Sequence, residues 1–161
     1  MTVEERIQRL ELSVRGLLEH IQSLPADALY GEPGAGEWPV MSTLAHLAEL
    51  LPYWAHQAEL IARTPGAAFG RTHDDAQRVG AVEQHGRDSL EAIVPRIHSG
   101  LNEAVTALRG LPSAAWTRAG QHATRGGMTV EQVVDTCLIN HAEEHATQIQ
   151  ATLEALRADR P

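Results

Sequence analysis

The sequence predicts an all-α fold, a four-helix bundle formed by one domain over residues 1–161. Four segments carry apolar residues at alternating spacings of three and four, which align along one face of a helix. Signals that start or stop helices flank these segments. No segment alternates apolar and polar residues between turn dipeptides, so we expect no sheet.

The first helix is predicted over residues 3–24, where Thr2 and Glu5 have the spacing of a capping box and Pro25 provides the stop. The short link that follows favours an antiparallel neighbour as the second helix. The apolar stripe of the first helix consists of Ile7, Leu10, Val14, Leu17, Ile21 and Leu24.

The second helix follows the glycine- and proline-rich turn GEPGAGEW (31–38), with Pro39 at the first helical position. Pro52 lies inside this helix and Pro95 inside the third. Each removes a backbone hydrogen bond, so each is expected to kink or break its helix. The stripe of the second helix consists of Val40, Leu44, Leu47, Leu51 and Trp54.

A long polar connection, 64–88, has room for a short helix and allows a crossover to a parallel third helix. A second loop, 110–127, leads to the last helix, where Thr129 and Gln132 have the spacing of another capping box. The third stripe consists of Leu90, Val94, Ile97, Leu101, Val105 and Leu108. The last consists of Val130, Val134, Cys137, His141, His145, Thr152 and Leu156.

The charge, the apolar runs and the cysteine content of the chain argue against several classes of function. A net charge of −8, with no basic stripe, argues against nucleic-acid binding. The apolar runs are shorter than a membrane span requires, so no membrane association is expected. A single cysteine and the lack of a basic and apolar leader favour a cytoplasmic location.

His141 and His145 interrupt the apolar stripe of the last helix in LINHAEEHATQI (138–149). Residues four apart in an α-helix project in nearly the same direction, so both imidazoles are expected to face the interior. Two imidazoles at this spacing can bind one metal ion, at about 2.0–2.1 Å for zinc. His46, on one flank of the second stripe, would complete a three-histidine site with an open position, as in catalytic sites.

Other interpretations of these residues stay open. Each histidine could be a core side chain that is hydrogen-bonded to a backbone carbonyl, Glu49 or Glu144, although neighbouring neutral imidazoles would compete for partners. Glu49 could orient His46 or face solvent. Cys137 could be a fourth ligand, an activated thiol or, as is more common, a small core residue.

The string HAEEH also matches the H-x-x-E-H motif of inverted zinc peptidases, in which Glu144 would act as general base. That chemistry expects a later acidic ligand, and only Glu154 is available, so we favour coincidence. The remaining histidines lie in polar faces or loops and are expected to face solvent: His20, His56, His73, His85, His98 and His122.

The sequence resembles the DinB-like family, also called the DinB/YfiT-like metalloenzymes. The segment GEWPVMSTLAHLAEL (36–50) is similar to the family's tryptophan followed by a helix with a His-Leu pair. The segment NHAEEHATQIQ (140–150) is similar to its late His-x3-His helix. The helix order and both intervening loops are also similar, so the likeness spans nearly the whole chain. Pro39 departs from the polar helix cap that is common in relatives.

The resemblance implies up-down-down-up helix topology with a long crossover between the second and third helices. It also implies a divalent metal ion, often nickel or zinc, bound by His46, His141 and His145. Relatives include S-transferases and isomerases that use thiols such as bacillithiol, mycothiol or glutathione, while others are classed as hydrolases, and many form homodimers.

We therefore expect a thiol-dependent S-transferase that takes a small-molecule thiol and a small electrophile, and acts as a homodimer. A metal-dependent hydrolase and a non-catalytic metal- or ligand-binding stress-response module are the alternatives. An arginine near the mouth of the bundle could hold a carboxylate or thiol group of the substrate, but the sequence does not identify which arginine.

Overall fold

The computed structural model describes residues 1–34 and 36–158 and has the predicted four-helix architecture. Three long helices and a last helix (130–158) form the bundle, and the last helix contains a π-helical segment between two α-helical segments. Two short α-helices, one turn of 3-10 helix (Ser113–Ala115) and three short strands lie in the described parts of the connections. In chain order the main elements are α1 (Val3–Gln22), α2 (Ala26–Tyr30), α3 (Val40–Arg63), β1 (Ala68–Phe69), α4 (Ala76–His85), α5 (Leu90–Gly110), β2 (Ala119–His122), β3 (Gly126–Thr129), α6 (Val130–Val133), the π segment (Val134–Ile139) and α7 (Asn140–Ala158).

Both predicted capping boxes are confirmed. The Thr2 hydroxyl accepts a hydrogen bond from the Glu5 N–H, and the Thr129 hydroxyl accepts one from the Gln132 N–H, each at 3.2 Å. The predicted apolar stripes face a common core between the helices, except for Leu156, which is half-buried outside this core. Within the described part of the chain, no helix combines the length and apolarity that crossing a bilayer requires.

Two pairs of ionic contacts show that α1 and the last helix run parallel. Arg6 Nε lies 2.6 Å from Asp135 Oδ1, and Arg9 Nε lies 2.6 Å from Glu143 Oε1. Later residues of α1 therefore meet later residues of the last helix. This parallel pair forms one side of the bundle.

The long helices α3 and α5 also run parallel. Gly100 packs against Pro52, and one turn further along both helices His56 Nε2 lies 2.8 Å from Glu103 Oε1. The 64–88 connection is therefore a crossover, as predicted, and it contains the expected short helix, α4.

The pair of α1 and the last helix runs opposite to the pair of α3 and α5, which gives the predicted up-down-down-up order. Glu4 at the start of α1 meets Arg109 at the end of α5, with Oε1 and Nε 3.2 Å apart. Helices α1 and α3 each pack against α5 and the last helix, so α1 and α3 lie diagonally across the bundle. The expectation that the short link joins neighbouring helices is therefore wrong, because α2 lengthens the path between them.

The internal prolines do not break their helices, so that part of the expectation is wrong. Helix α3 continues through Pro52 and α5 through Pro95. Pro52 leaves the carbonyl of Ala48 without its helical donor, and Gly100 packs beside this carbonyl and the Pro52 ring. Pro39 is the residue before the first helical position, not the first position itself.

A small sheet is present where none was predicted. Strand β1 pairs in parallel with β2, with Ala68 opposite Gln121, and β2 pairs antiparallel with β3. The strands have two to four residues, and β2 and β3 include glycines, so the strands are too short and too weakly patterned to show an alternation. Strands β1 and β2 pack against α3, and β3 packs against α6.

The π segment lies directly before the histidines of the last helix. Its wider turn is closed by the Asn140 N–H, which donates to the carbonyl of Asp135 five residues earlier. Such segments are rare and often occur at functional sites. Here it ends two residues before His141, and it therefore sets the angular position of the following helix face.

Candidate metal centre

Three histidines from two helices converge inside the bundle. His46 comes from α3, and His141 and His145 come from the first turns of α7. One ring nitrogen from each lies within 4.8 Å of the other two, and the ring centroids are 4.7 to 5.6 Å apart. The structure thus brings together all three residues that the sequence suggests as ligands; we call them the three-histidine cluster.

Nitrogens of the cluster are buried without hydrogen-bond partners. Among the described residues, this holds for Nδ1 and Nε2 of His46 and for Nε2 of His145. Burial lowers the pKa of His46 to about 2 and the pKa of His141 to about 4, and the charge of Arg78 contributes to both shifts. Burial also lowers the pKa of His145. The imidazoles are therefore neutral near pH 7, and their lone pairs are available.

This donor set fits a divalent transition metal. Neutral imidazole nitrogens are common ligands for zinc, nickel and copper, and three of them leave a position for another ligand. A buried polar atom without a partner costs free energy, which a bound cation would offset. The edge of the Trp38 ring packs against His46, with centroids 5.6 Å apart, and holds this imidazole in place.

Gln148 holds His145 in one tautomer. His145 Nδ1 lies 2.9 Å from Gln148 Oε1, and Gln148 Nε2 donates to a carboxylate oxygen of Glu37 at 3.0 Å. Because the amide nitrogen faces the carboxylate, the amide oxygen faces His145 and accepts from Nδ1–H. The lone pair of His145 is therefore on Nε2, the nitrogen without a partner.

Glu49 is neither solvated nor hydrogen-bonded to His46. Its side chain is 12% exposed, and its nearest oxygen lies 3.8 Å from His46 Nδ1, beyond hydrogen-bond range. Instead, Arg71 forms a two-bond pair with Glu49, with N–O distances of 2.6 and 2.5 Å. The Arg71 guanidinium also stacks 3.8 Å from the ring centroid of Tyr53, so this arginine is fully engaged.

Cys137 is a buried residue beside the cluster and is not grouped with its ligand atoms. Burial raises the pKa of its thiol, which argues against an activated thiolate. The peptidase motif also finds no support in the structure. Its third-ligand position is taken by His46 from another helix, whereas Glu154 is exposed and pairs with Gln150 at 2.9 Å.

The cluster opens onto a cavity of about 650 Å³, which we call the main cavity. Its size falls in the range of small-molecule sites. Helices α3, α4 and the last helix contribute its walls, together with the sheet. The lining residues with functional side chains include His46, Arg71, Arg78, His122, Arg125, Cys137, His141 and Glu144.

His122 is a wall residue of the main cavity, so the expectation that it faces solvent is wrong. It is 7% exposed, stacks on Trp54 with centroids 5.9 Å apart, and meets the ring edge of Phe69. Its Nδ1 accepts hydrogen bonds from the backbone N–H groups of Thr124 and Arg125, at 3.1 and 3.2 Å. Its proton is therefore on Nε2, which makes His122 a neutral donor.

The other histidines expected in solvent differ in exposure. His20, His56 and His73 are exposed as predicted, whereas His85 and His98 are half-buried. No local signal in the sequence marks His122 for burial, because its partners come from α3 and β1. The role of Gln148 could have been inferred from its position one turn after His145.

A sequence model described as the DinB superfamily matches residues 9–149, a range that includes the whole three-histidine cluster. No curated protein matches this chain.

Solved structures share the architecture at low sequence identity. One is that of YfiT from Bacillus subtilis, described as "a probable metal-dependent hydrolase with an unusual four-helix bundle topology". It is 17% identical, with a TM-score of 0.80 over 96% of this chain and 87% of that one. Another is a mycothiol-dependent maleylpyruvate isomerase, 13% identical, with a TM-score of 0.69. This chain aligns over its whole length but spans only 65% of that isomerase.

Proposed function

This chain belongs to the DinB superfamily, and on that premise we propose that it is a divalent-metal-dependent enzyme whose ligands are His46, His141 and His145. Zinc and nickel are the expected ions, since imidazole nitrogen suits both. The reaction that we propose is thiol-dependent S-transfer to a small electrophile. The observation that carries the proposal is a set of buried, neutral imidazoles with unpartnered nitrogens beside a cavity of about 650 Å³.

The chemistry follows from the donor set. A divalent cation held by three imidazoles supplies Lewis acidity that lowers the pKa of a thiol or a water beside it. In S-transfer, the sulfur forms a bond to the electrophilic carbon, the bond from that carbon to its leaving group breaks, and the thiol proton passes to solvent. The cavity confines both reactants, which raises their effective concentration.

The residues of this chain have distinct tasks in this scheme. Gln148 fixes the tautomer of His145 and directs Nε2 into the cluster. Trp54 lines the cavity and Trp38 packs against His46, so apolar rings exclude water from part of the neighbourhood of the histidines. His122, which also lines the cavity, is a neutral N–H donor.

Two structural neighbours support different versions of this chemistry. The isomerase described as mycothiol-dependent favours a thiol as the nucleophile. YfiT, described as a probable metal-dependent hydrolase, favours water in the same position, and it matches this chain over a larger share of its length. Hydrolysis is therefore the second candidate function, and both candidates use the same three ligands.

Metal binding is tested by elemental analysis of protein purified without an affinity tag. We expect about one divalent ion per chain in the parent protein and a strong loss in His46→Ala and His141→Ala. The exposed His20 provides the control variant, His20→Ala, which should retain the ion. If the parent protein binds no more metal than the cluster variants, the proposed site is wrong.

Activity is tested with metal-loaded protein and a halogenated nitroaromatic electrophile. We expect conjugation of at least one of glutathione, mycothiol and bacillithiol, at a rate that chelation removes. A 4-nitrophenyl ester, assayed without thiol, reports the hydrolase alternative. Metal-dependent turnover of the ester alone would favour hydrolysis over S-transfer as the function. Turnover of neither substrate would favour a non-catalytic binding module.

A further inference from the structure

Three arginines line the main cavity, and only one of them is paired with an acid. Arg71 is neutralised by Glu49 and lies close to Asp75, with Nη1 and Oδ1 3.5 Å apart. Arg78 of α4 and Arg125 of the β2–β3 turn have no carboxylate within 4.0 Å among the described residues. Two guanidinium groups of the cavity wall therefore lack a direct ion-pair partner, although Glu49 and Asp75 act on Arg78 at longer range.

Arg78 and Arg125 are positioned by neutral groups. The Arg78 guanidinium lies over the Trp38 ring, 5.2 Å from its centroid, and donates to the carbonyl of His73 at 2.5 Å. Arg125 Nη1 lies 3.8 Å from the sulfur of Cys137. A guanidinium has five N–H donors, so Arg78 is held in place with donors left over for a ligand, and the exposed Arg125 keeps most of its donors available.

The charges of both arginines act on the histidine cluster. The charge of Arg78 contributes to the lowered pKa of His46, His141 and His145, and that of Arg125 contributes to the lowered pKa of His141. Burial is the main cause of each shift, and both arginines line the same cavity as His46 and His141.

Among the described residues, the acidic side chains of the cavity wall do not pair with Arg78 or Arg125. Asp74 and Glu144 also line the main cavity. The Asp74 carboxylate accepts a hydrogen bond from the Thr72 hydroxyl, which lowers its pKa, and Glu144 points to the exposed rim. The net charge of the chain is −8, yet two arginines without a carboxylate partner line one cavity beside the three-histidine cluster, and this arrangement favours an anionic ligand there.

We propose that the main cavity binds a small carboxylate-bearing molecule, whose carboxylate is held by Arg78 and Arg125 while its reacting group faces the three-histidine cluster. This inference rests on the proposed function and adds the substrate class to it. A planar guanidinium matches a carboxylate through two parallel hydrogen bonds, and the partly enclosed wall strengthens the attraction. The carboxylate could belong to the thiol or to the electrophile.

The test compares ligands that differ only in charge. Binding of 3-mercaptopropionate and its neutral amide to cobalt-loaded protein is followed by calorimetry and by the visible spectrum of the cobalt ion. Glutarate and glutaramide form a second pair without sulfur. We expect each carboxylate to bind at least roughly tenfold more tightly than its amide, as for hydrogen bonds to charged groups. If only 3-mercaptopropionate binds more tightly than its amide, the carboxylate that the site recognises belongs to the thiol substrate.

Variants assign the preference to the two arginines, which is necessary because a carboxylate can also bind the metal ion directly. In Arg78→Gln and Arg125→Gln the preference should fall by roughly tenfold, and Arg78→Lys should restore part of it. Arg63→Gln is the control, since Arg63 is 69% exposed and lies outside the cavity.

The possible results separate this inference from the proposed function. Equal binding of carboxylate and amide, or a preference unchanged in both arginine variants, would overturn the carboxylate site. If both thiols still changed the cobalt spectrum, the thiol chemistry would stand without it. If the glutarate pair showed an arginine-dependent preference while neither thiol reached the ion, the carboxylate site would stand and thiol transfer would fail.

Discussion

The Nδ1 atom of His145 lies 2.9 Å from Oε1 of Gln148, one turn further along α7. This single contact fixes which nitrogen of His145 can bind a metal ion. Gln148 is in turn held by Glu37, which lies before α3, so the contact links both helices of the cluster. His145 is therefore ordered by the fold itself, so less conformational entropy would be lost when an ion binds.

Gln148→Leu removes the acceptor for His145 Nδ1 while keeping an apolar body of similar size. We expect the affinity for zinc to fall by about 10- to 100-fold, as is common for outer-shell partners of ligating histidines. Competition with a chromophoric chelator measures the change. Gln150→Leu is the matched control, because Gln150 is exposed on the same helix and pairs with Glu154. Equal affinities in both variants would contradict the role of Gln148.

Cys137→Ser tests whether the buried sulfur takes part in metal binding. We expect zinc affinity to change by less than about threefold, because Cys137 is not grouped with the ligand atoms of the cluster. The same chelator competition gives the value. The parent thiol should also react slowly with an uncharged alkylating reagent, because burial raises its pKa. A loss of affinity comparable to that of His141→Ala would identify the sulfur as a fourth ligand.

The elements that the sequence predicts are those specified by local signals. The apolar stripes identify the inward face of each long helix, and Thr2 and Thr129 identify two helix starts through residues only three positions away. The convergence of His46 with His141 and His145 could also be anticipated, because all three interrupt or flank a predicted inward face. Periodicity was sufficient here since each histidine is part of a long helix.

The elements that the sequence does not predict depend on contacts between distant segments of the chain. His122 is buried by Trp54 and Phe69, which belong to other elements, and nothing within its own loop indicates this. The pairing of the cavity arginines is also hidden in the sequence, since only the folded chain shows that Arg71 is paired with an acid and Arg78 is not. The short strands and the π segment are also set by tertiary contacts, because their local patterns are weak.

Arg6→Met tests the buried ionic contact between α1 and the π segment. Arg6 is 4% exposed, forms two hydrogen bonds to Asp135 and also pairs with Glu131. Its removal leaves a partly buried carboxylate without a partner, so we expect the free energy of unfolding to fall by roughly 2–3 kcal/mol. Urea unfolding measures the change. Arg15→Met on the same helix is the control, since the exposed pair of Arg15 with Glu11 should contribute less than about 0.5 kcal/mol. Similar losses in both variants would argue against the buried contact.

Gly100→Ala tests the close contact that accommodates Pro52. A Cβ at Gly100 would lie 3.0 Å from the Pro52 Cδ and 3.2 Å from the Ala48 carbonyl oxygen, and neither atom is on a flexible side chain. We expect the free energy of unfolding to fall by roughly 1–2 kcal/mol, as for other overpacked core positions. Gly16→Ala is the control, because Gly16 lies in α1 with open space around it and should gain about 0.5–1 kcal/mol in helix propensity. A gain at both positions would show that α3 and α5 can separate freely.

The pH dependence of stability tests the burial of the cluster in metal-free protein. The lowered pKa values of about 2 for His46 and about 4 for His141 mean that the folded state takes up protons less readily than the unfolded state, where the value is 6.5. The stability that neutral histidine contributes is complete above pH 6.5 and is lost as the pH falls towards the folded pKa, by up to about 1.4 kcal/mol per pH unit and histidine.

Urea unfolding in the presence of a chelator, between pH 7.5 and 5, measures this slope. We expect the slope to be smaller in His46→Leu, because one of the buried imidazoles is absent and the unfolded state therefore gains one proton fewer. Leu47→Ala is the control, since Leu47 is fully buried on the same helix and carries no titratable group. This control should lower stability by a similar amount at every pH. If His46→Leu and the parent protein have the same slope, His46 is either accessible to protons or charged in the folded state.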